Sequence, residues 1–186
     1  MHRVCVFAGS KAGTHPDFAA AATALGEGIV RRGWGLVYGG ARSGLMGVVA
    51  ESALAAGGEV LGVIPKAGDR LSAEQAHLGL TRLYVVSAMH ERKATMHDLA
   101  QAFVALPGGF GTMDEVFEAI TWMQLGLHAK PIAFLDVLGY WQPLARWVER
   151  AVEDGFVDHA YAARLVVESD TERVLGALAP KAGFVR

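Results

Sequence analysis

Short apolar runs alternate with longer amphipathic stretches along almost the whole chain. Runs of four to six apolar residues bounded by glycine or proline are typical of buried strands, and apolar positions three or four apart are typical of helices. The pattern predicts seven strands, at residues 4–8, 35–38, 60–64, 83–86, 103–106, 131–135 and 165–167. It predicts helices at residues 17–32, 48–56, 89–100, 113–127, 141–154 and 171–178.

Strands that alternate with helices at this spacing predict an α/β fold with a doubly wound, Rossmann-like parallel sheet. No repeat, linker or low-complexity tract interrupts the pattern, so we predict a single domain over residues 1–186. Ligands of such sheets bind beyond the carboxyl ends of the strands, near the switch point. Glycine-rich turns follow the first, second and fifth predicted strands, and the polar residues 66–79 are the best candidate for a mobile loop over a site.

Composition excludes several classes of function. The 186 residues are 52% hydrophobic and carry a net charge of −2, which favours neither nucleic acid nor an anionic membrane surface. No apolar run approaches the roughly 20 residues that span a membrane, and we expect no signal peptide because the first residues lack a charged segment and a long apolar segment. The only cysteine, Cys5, lies in an apolar run and is expected to be a buried thiol. We therefore expect a soluble cytoplasmic protein.

The segment from Pro107 to Glu115 carries the strongest candidate chemistry. Its three glycines lie between a predicted strand and a predicted helix, where backbone N–H groups and the helix dipole suit a phosphate. Thr112 stands where an N-cap belongs, with Asp114 and Glu115 in the first turn. An acid beside a phosphate cradle repels the ligand that the cradle attracts. We therefore predict that Glu115 acts on a sugar carbon close to the phosphate.

The common nucleotide fingerprints are absent. Residues 39–47 lack Gly-x-Gly-x-x-Gly, and no Gly-Lys-Ser/Thr closes a P-loop, so a dinucleotide dehydrogenase or an NTPase is disfavoured. A single glycine turn is as easily structural as functional, whereas three at one sheet edge favour a phosphorylated ligand. Ser10 and Thr112 are either hydroxyl donors to that ligand or caps.

Arg92 lies near the start of a predicted helix, where the dipole does not favour a cation. Its partner is therefore either a buried carboxylate or a ligand anion. Lys93 is either solvated or a second contact to the ligand. The histidines His90, His97 and His128 lack a metal-binding spacing with acids, and we predict no metal site.

The predicted helix 113–127 has apolar residues on two sides. Met113 and Phe117 belong to one side and Trp122 and Met123 to the other, so the helix is either wholly interior or covered by a second copy. We predict a homodimer through this helix, with Trp122 and Met123 as anchors. From the helical pattern alone we predict that Asp114 and Glu118 compensate the helix dipole and lie on a solvated face.

Several segments together resemble the LOG ("Lonely guy") family of cytokinin riboside 5′-monophosphate phosphoribohydrolases. The first is Pro107-Gly-Gly-Phe-Gly-Thr-Met-Asp-Glu115, which matches the family motif Pro-Gly-Gly-x-Gly-Thr-x-x-Glu. The others are Met89-His-Glu-Arg-Lys93, Val4 to Ser10, Gly39 to Gly47, Glu74-x-x-His77 and Thr121 to Pro131. Such proteins are often labelled lysine decarboxylases. A pyridoxal-phosphate enzyme needs a Schiff-base lysine in a larger scaffold, and this sequence has no such setting.

The resemblance implies hydrolysis of the N-glycosidic bond of N6-modified adenosine 5′-monophosphates, with Arg92 and Glu115 as the catalytic pair and no cofactor. The residues it implies around the nucleotide are Glu74, Arg92, Lys93, Gly108, Gly109, Phe110, Gly111, Thr112, Met113, Asp114 and Thr121, to which Ser10 adds a hydroxyl. Two alternatives remain open: an AMP nucleosidase of broad purine specificity, and a nucleotide-binding module without hydrolysis. No nucleic-acid or membrane partner is expected.

Overall fold

A computed structural model describes residues 1–66 and 76–180 of the chain. The strands are β1 (Arg3–Phe7), β2 (Gly35–Tyr38), β3 (Val60–Pro65), β4 (Arg82–Val86), β5 (Ala102–Ala105), β6 (Ile132–Leu135) and β7 (Leu165–Glu168). The helices are α1 (Pro16–Arg31), α2 (Gly44–Ala55), α3 (Met89–Leu99), α4 (Phe110–Gln124), α5 (Gln142–Glu153), α6 (His159–Ala162) and α7 (Thr171–Ala177).

Within the described ranges the strands form one sheet of seven, in the order β4-β3-β2-β1-β5-β6-β7, with every pair parallel. The chain winds outward from β1 to β4, returns to the centre and winds outward again from β5 to β7. The switch point therefore lies between β1 and β5, which pair from Val4–Ala102 to Phe7–Ala105. The predicted doubly wound α/β fold is confirmed.

Alternate side chains of each inner strand enter two separate cores. Val4 and Val6 face α1, α2 and α7, whereas Cys5 and Phe7 face α3, α4 and the start of α5. Cys5 is fully buried, as predicted, and its burial raises the pKa of the thiol well above the ordinary value. Both faces of the sheet are covered, which is why the strands are apolar at successive positions.

Helix α4 begins and ends three residues earlier than predicted. It starts at Phe110, directly after the extended Gly109, and ends at Gln124. Gly126 has φ +74°, and the N–H of Leu127 donates to Trp122 O at 2.9 Å, which forms a Schellman cap. Left-handed backbone at Gly126 stops the helix before the predicted end at residue 127.

The structure overturns three smaller predictions about this helix. Thr112 is not an N-cap, because it is the third residue of α4, and Asp114 and Glu115 therefore lie in the second turn. Met123 cannot anchor a partner, because only 2% of it is exposed and it packs in the core of its own chain. A 3-10 turn at Val137–Gly139 and α6 were not predicted. Helix α2 begins at Gly44, four residues before its predicted start at residue 48, because the last glycines of the predicted turn already belong to the helix. The other elements lie close to their predicted bounds.

Some predictions fall outside this description. Residues 67–75, which include Glu74 and most of the predicted mobile loop, are not among the described residues. In the part of the chain that is described, no helix has the length and apolar character needed to cross a membrane.

Candidate active site

The loop after β1 is hydrogen-bonded at the switch point to the loop after β5 and to the start of α2. The N–H of Gly9 donates to Pro107 O at 3.1 Å, and the N–H of Leu45 in α2 donates to Gly9 O at 2.9 Å. A Cβ on Gly44, whose φ is +57°, would lie 2.3 Å from the carbonyl carbon of Ser10. The N-terminus of α2 is thus engaged by the β1 loop, and Gly44 has no room for a side chain.

The loop after β5 packs closely against the first turn of α4. A Cβ on Gly108 would lie 2.1 Å from Oγ1 of the buried Thr112, and the hydroxyl of Tyr140 donates to Gly108 O. No side chain caps α4 at Gly109 within the described chain. The first N–H groups of a helix have no partner inside it, so the start of α4 at Phe110 is suited to an anion.

Arg92 is buried in the first turn of α3 and is held by backbone oxygens. Its Nε donates to Val63 O at 3.0 Å and its Nη2 donates to Gly39 O at 2.9 Å. Nη1 lies 3.5 Å from the sulfur of Met89. Only 6% of Arg92 is exposed. The guanidinium is therefore fixed to the carboxyl ends of β2 and β3.

Glu115 is the carboxylate that faces this guanidinium. Its Oε1 lies 3.8 Å from Nη1 of Arg92, and 9% of Glu115 is exposed. The distance allows charge attraction but is too long for a hydrogen bond. Arg92 and Glu115 thus form a buried ion pair beside the glycine loop. Of the two partners considered for Arg92, the structure shows the buried carboxylate.

Lys93 already has two carboxylate partners. Its Nζ lies 3.0 Å from Oδ2 of Asp114 and 2.8 Å from Oε2 of Glu118, both on α4. Burial lowers the pKa of Lys93, but hydrogen bonds to Glu118 and Asp114 outweigh it, so the pKa is raised overall. The lysine is charged at neutral pH and bridges α3 to α4.

The remaining predicted contacts are spread over the surface. Ser10 is exposed after β1, and Phe110 is 97% exposed at the start of α4, whereas Met113 is partly buried against the α3–α4 core. Thr121 is exposed six residues after Glu115, which places it about 9 Å farther along the helix. Thr121 nevertheless lines a surface pocket of about 410 Å³ together with Met113 and Asp114, so the structure brings these three predicted residues together on α4.

A buried pair beside the site was not predicted. The hydroxyl of Tyr38 and Nδ1 of His77 are 3.0 Å apart, and the N–H of His77 donates to Gly40 O at 3.0 Å. Burial lowers the pKa of His77, which keeps it neutral at pH 7. His77 belongs to a motif shared with the LOG family, but its tyrosine partner lies 39 residues away and has no local signal.

The three histidines considered for metal binding do not converge on the site. His97 and His128 lie near the start of β6, with ring centres 6.0 Å apart, and His90 is exposed in the first turn of α3. In residues 1–66 and 76–180 no group of three His, Cys, Asp or Glu side chains is placed to hold a metal ion.

Comparisons with known proteins place this geometry in a family. A family profile described as "Possible lysine decarboxylase" matches residues 46–178. The chain is 46% identical over 175 residues to the cytokinin riboside 5′-monophosphate phosphoribohydrolase of Rhodococcoides fascians, which covers 94% of this chain and 88% of that protein. It is 43% identical over 173 residues to an enzyme of the same name from Arabidopsis thaliana, with 93% and 78% covered.

A solved structure of the molybdenum cofactor carrier protein from Chlamydomonas reinhardtii has the same fold. It superposes with a TM-score of 0.70 over 95% of this chain and 94% of that one, at 22% identity. Identity this low indicates a shared fold and nothing about ligands. The similarity to the phosphoribohydrolases is much higher and nearly complete. The chain therefore belongs to the LOG family of cytokinin riboside 5′-monophosphate phosphoribohydrolases.

Proposed function

We propose that the protein hydrolyses the N-glycosidic bond of N6-modified adenosine 5′-monophosphates and releases the free base and ribose 5-phosphate. The names of its relatives support this substrate class. The observation that carries the proposal is the buried Arg92–Glu115 pair, 3.8 Å apart, beside the uncapped start of α4. One water molecule is consumed, and its oxygen becomes the anomeric hydroxyl of the sugar.

The reaction needs a stabilised sugar cation. Cleavage at C1′ passes through an oxocarbenium-like state, as in glycoside hydrolysis, and a carboxylate can stabilise that cation or activate the attacking water. We assign this role to Glu115. The N–H groups at the start of α4 would hold the 5′-phosphate and so fix the ribose against Glu115.

Arg92 completes the proposed catalytic pair. With Nε and Nη2 donating to backbone oxygens, Nη1 is the part of the guanidinium closest to Glu115. From there its charge would act on the nucleotide or on the departing base. Neither residue needs a cofactor for these roles.

A homodimer is the second part of the proposal. Leu125 and Leu127, just beyond α4, are 69% and 67% exposed, and Trp122 is only partly buried. Apolar side chains gathered at one helix end suit a self-complementary interface. We propose that a second copy covers this end of α4, with Trp122 kept as an anchor and Leu125 and Leu127 in place of Met123.

One assay separates the candidate functions. The protein is incubated with isopentenyladenosine monophosphate, with AMP and with the two matching nucleosides, and ribose 5-phosphate or ribose is measured. We expect release from the prenylated nucleotide and little from either nucleoside, because the nucleosides lack the group that the cradle holds. Equal turnover of AMP would indicate an AMP nucleosidase. No release from any nucleotide would leave a binding module, and good turnover of nucleosides would contradict the phosphate cradle.

A further inference from the structure

Two consecutive peptide groups in the loop between β5 and α4 have carbonyl oxygens that are held by donors from outside the loop. Pro107 O accepts from the N–H of Gly9 at 3.1 Å, and Gly108 O accepts from the hydroxyl of Tyr140. In a trans peptide the N–H points away from the C=O of the same group, and the described chain contains no cis peptide bond. The two hydrogen bonds therefore fix the directions of the N–H groups of Gly108 and Gly109.

These two N–H groups have no acceptor in the protein. Within residues 1–66 and 76–180, neither Gly108 nor Gly109 donates its N–H in a hydrogen bond. Gly109 directly precedes α4, and a Cβ built on it would meet nothing within 4 Å in the described chain, so the space beside it is open. The N–H of Gly109 is thus a donor of fixed direction at the start of a helix, which suits a phosphate oxygen.

Tyr140 is held on two sides and donates to the loop. Its ring packs edge-on against Trp141, with ring centres 5.1 Å apart, and edge-on against Phe18 of α1, with ring centres 6.2 Å apart. A tyrosine hydroxyl has a single hydrogen, and here that hydrogen is donated to Gly108 O. It therefore has none left for a phosphate oxygen, and the hydroxyl acts on the loop rather than on a ligand.

The turn that carries Tyr140 has an unfavourable backbone conformation. Leu138 adopts φ +55° and ψ +29°, and Gly139 follows at φ +73°. Left-handed backbone is uncommon for leucine, and Leu138 is 59% exposed, so burial of its side chain does not account for it. Next to the turn, the buried Asp136 accepts from the N–H of Trp141 at 2.7 Å. Such a conformation persists where surrounding contacts impose it, and its outcome here is the position of Tyr140.

We propose that Tyr140 is a positioning residue for phosphate binding, whose hydroxyl holds Gly108 O and thereby directs the N–H of Gly109 at the 5′-phosphate of the substrate. This role rests on the proposed hydrolase function, and it adds the turn after β6 to a site that is otherwise built from α3, α4 and the loop after β5. Without the hydroxyl, the peptide group between Gly108 and Gly109 is free to rotate, and the phosphate loses one aimed donor.

The first test is the steady-state kinetics of Tyr140→Phe, which keeps both ring contacts and removes only the hydroxyl. We expect KM for isopentenyladenosine monophosphate to rise about tenfold, because a hydrogen bond to a charged group contributes roughly this much to binding. The value of kcat should stay within about twofold, since the phosphate is held equally in the bound substrate and in the transition state. An unchanged KM, or a fall in kcat alone, would overturn the proposal.

The matched control is Tyr161→Phe on α6. It makes the same chemical change at a hydroxyl that forms no hydrogen bond with any described residue, so neither KM nor kcat should change. A KM that rose equally in both variants would show that the effect is not specific to the bond with Gly108 O, and it would count against the proposal.

The second test requires no turnover. The amide nitrogen of Gly109 belongs to the same peptide group as Gly108 O, so its NMR chemical shift in the ligand-free protein should change in Tyr140→Phe and stay unchanged in Tyr161→Phe. Titration with ribose 5-phosphate, the proposed product, should move the same signal, with a Kd about tenfold weaker in Tyr140→Phe than in the unmodified protein.

The two tests separate the positioning role from the hydrolase function. A Gly109 signal that is identical in Tyr140→Phe, or one that ribose 5-phosphate does not move in the unmodified protein, would overturn the positioning role even if the protein is an active hydrolase. If the Gly109 signal behaves as expected but no nucleotide is hydrolysed, the hydrolase function fails and the positioning of a phosphate-binding loop stands.

Discussion

At the scale of single residues, Arg92 of α3 is held by backbone oxygens at the ends of β2 and β3. Substitutions of the residues around its guanidinium should therefore change its position. Nη2 bonds Gly39 O, and a Cβ on Gly39 would lie only 2.0 Å from that same nitrogen. The glycine is therefore needed for the space that it leaves to the guanidinium, since its own φ is not in the left-handed region. Val63 O fixes the other side.

We expect Gly39→Ala to displace the guanidinium and lower kcat about 100-fold, because misplacement of a catalytic group by roughly 1 Å has this effect. The measurement is steady-state release of ribose 5-phosphate. Gly176→Ala is the matched control, since a Cβ there meets nothing within 4 Å in the described chain. Full activity of Gly39→Ala would show that the position of Arg92 is not critical.

We expect Glu115→Gln to retain nucleotide binding and to lose roughly 10²- to 10⁴-fold in turnover, because the amide keeps the shape but not the charge that a sugar cation needs. Binding is measured by calorimetry and turnover by product release. A fully active Glu115→Gln protein would refute the mechanism.

The sequence indicates Arg92 and Glu115 but not what holds them. An arginine at the positive end of a helix and an acid beside a phosphate cradle each conflict with their surroundings, and such conflicts are visible in a sequence. Gly39 O and Val63 O are backbone atoms, which every residue possesses, so they have no sequence signal. The Lys93 partners depend on the angle between two helices, which no local pattern encodes.

At the scale of elements, α3 carries a second buried basic residue, His97, five residues after Arg92. It is 2% exposed, packs against Phe103 and Trp122, and neither ring nitrogen bonds a described residue. Burial lowers the pKa of His97 to about 4, with smaller contributions from His128 and Lys130. The histidine is neutral in the folded protein at pH 7.

We therefore expect the free energy of unfolding to fall as pH decreases from about 6.5 to about 4. In this window the unfolded chain binds a proton at His97 and the folded chain does not, so acid favours unfolding, by up to about 3 kcal/mol from this residue. Urea unfolding at several pH values measures the slope.

His97→Phe isolates this contribution, because it keeps a ring in the same cavity and cannot be protonated. The variant should lose part of the pH slope between 6.5 and 4 and keep its stability at pH 7.5. An unchanged slope would assign the acid sensitivity to other groups, such as His77 or His128.

Element boundaries show where sequence reasoning fails physically. Thr112 and the acids after it resemble a helix start, yet α4 begins at Phe110. The early start, without a side-chain cap, leaves the first N–H groups of α4 for the phosphate that we propose to bind there. The C-terminal error has a simpler cause, because Gly126 can adopt left-handed backbone and ends the helix.

At the scale of the whole molecule, the alternation of strands and helices was enough to predict the doubly wound parallel sheet, whereas the strand order and the position of the switch point come from the structure. A continuously apolar strand has to be covered on both faces, and that requirement leaves few topologies. Quaternary structure was harder to predict, because apolar side chains on or just after α4 can pack either in the core of their own chain or against a partner. Met123 is buried in the core, whereas Leu125 and Leu127 are exposed.

We expect Leu125→Asp combined with Leu127→Asp to convert the proposed dimer to a monomer, because two charges would be buried at the interface. Sedimentation velocity over a range of protein concentrations measures the change. Val85→Asp, at a 62% exposed position on the edge strand β4, is the control and should leave the sedimentation coefficient unchanged. A monomeric unmodified protein would refute the dimer.

The bond from Leu45 N to Gly9 O has a consequence for the rate of nucleotide binding. It joins the first turn of α2 to the β1 loop before any ligand arrives, so the entropy of ordering that side of the site is lost during folding. Association with substrate should then be a single fast step on this side, without a slow rearrangement. We therefore expect the α2 side of the proposed site to stay rigid when a nucleotide binds.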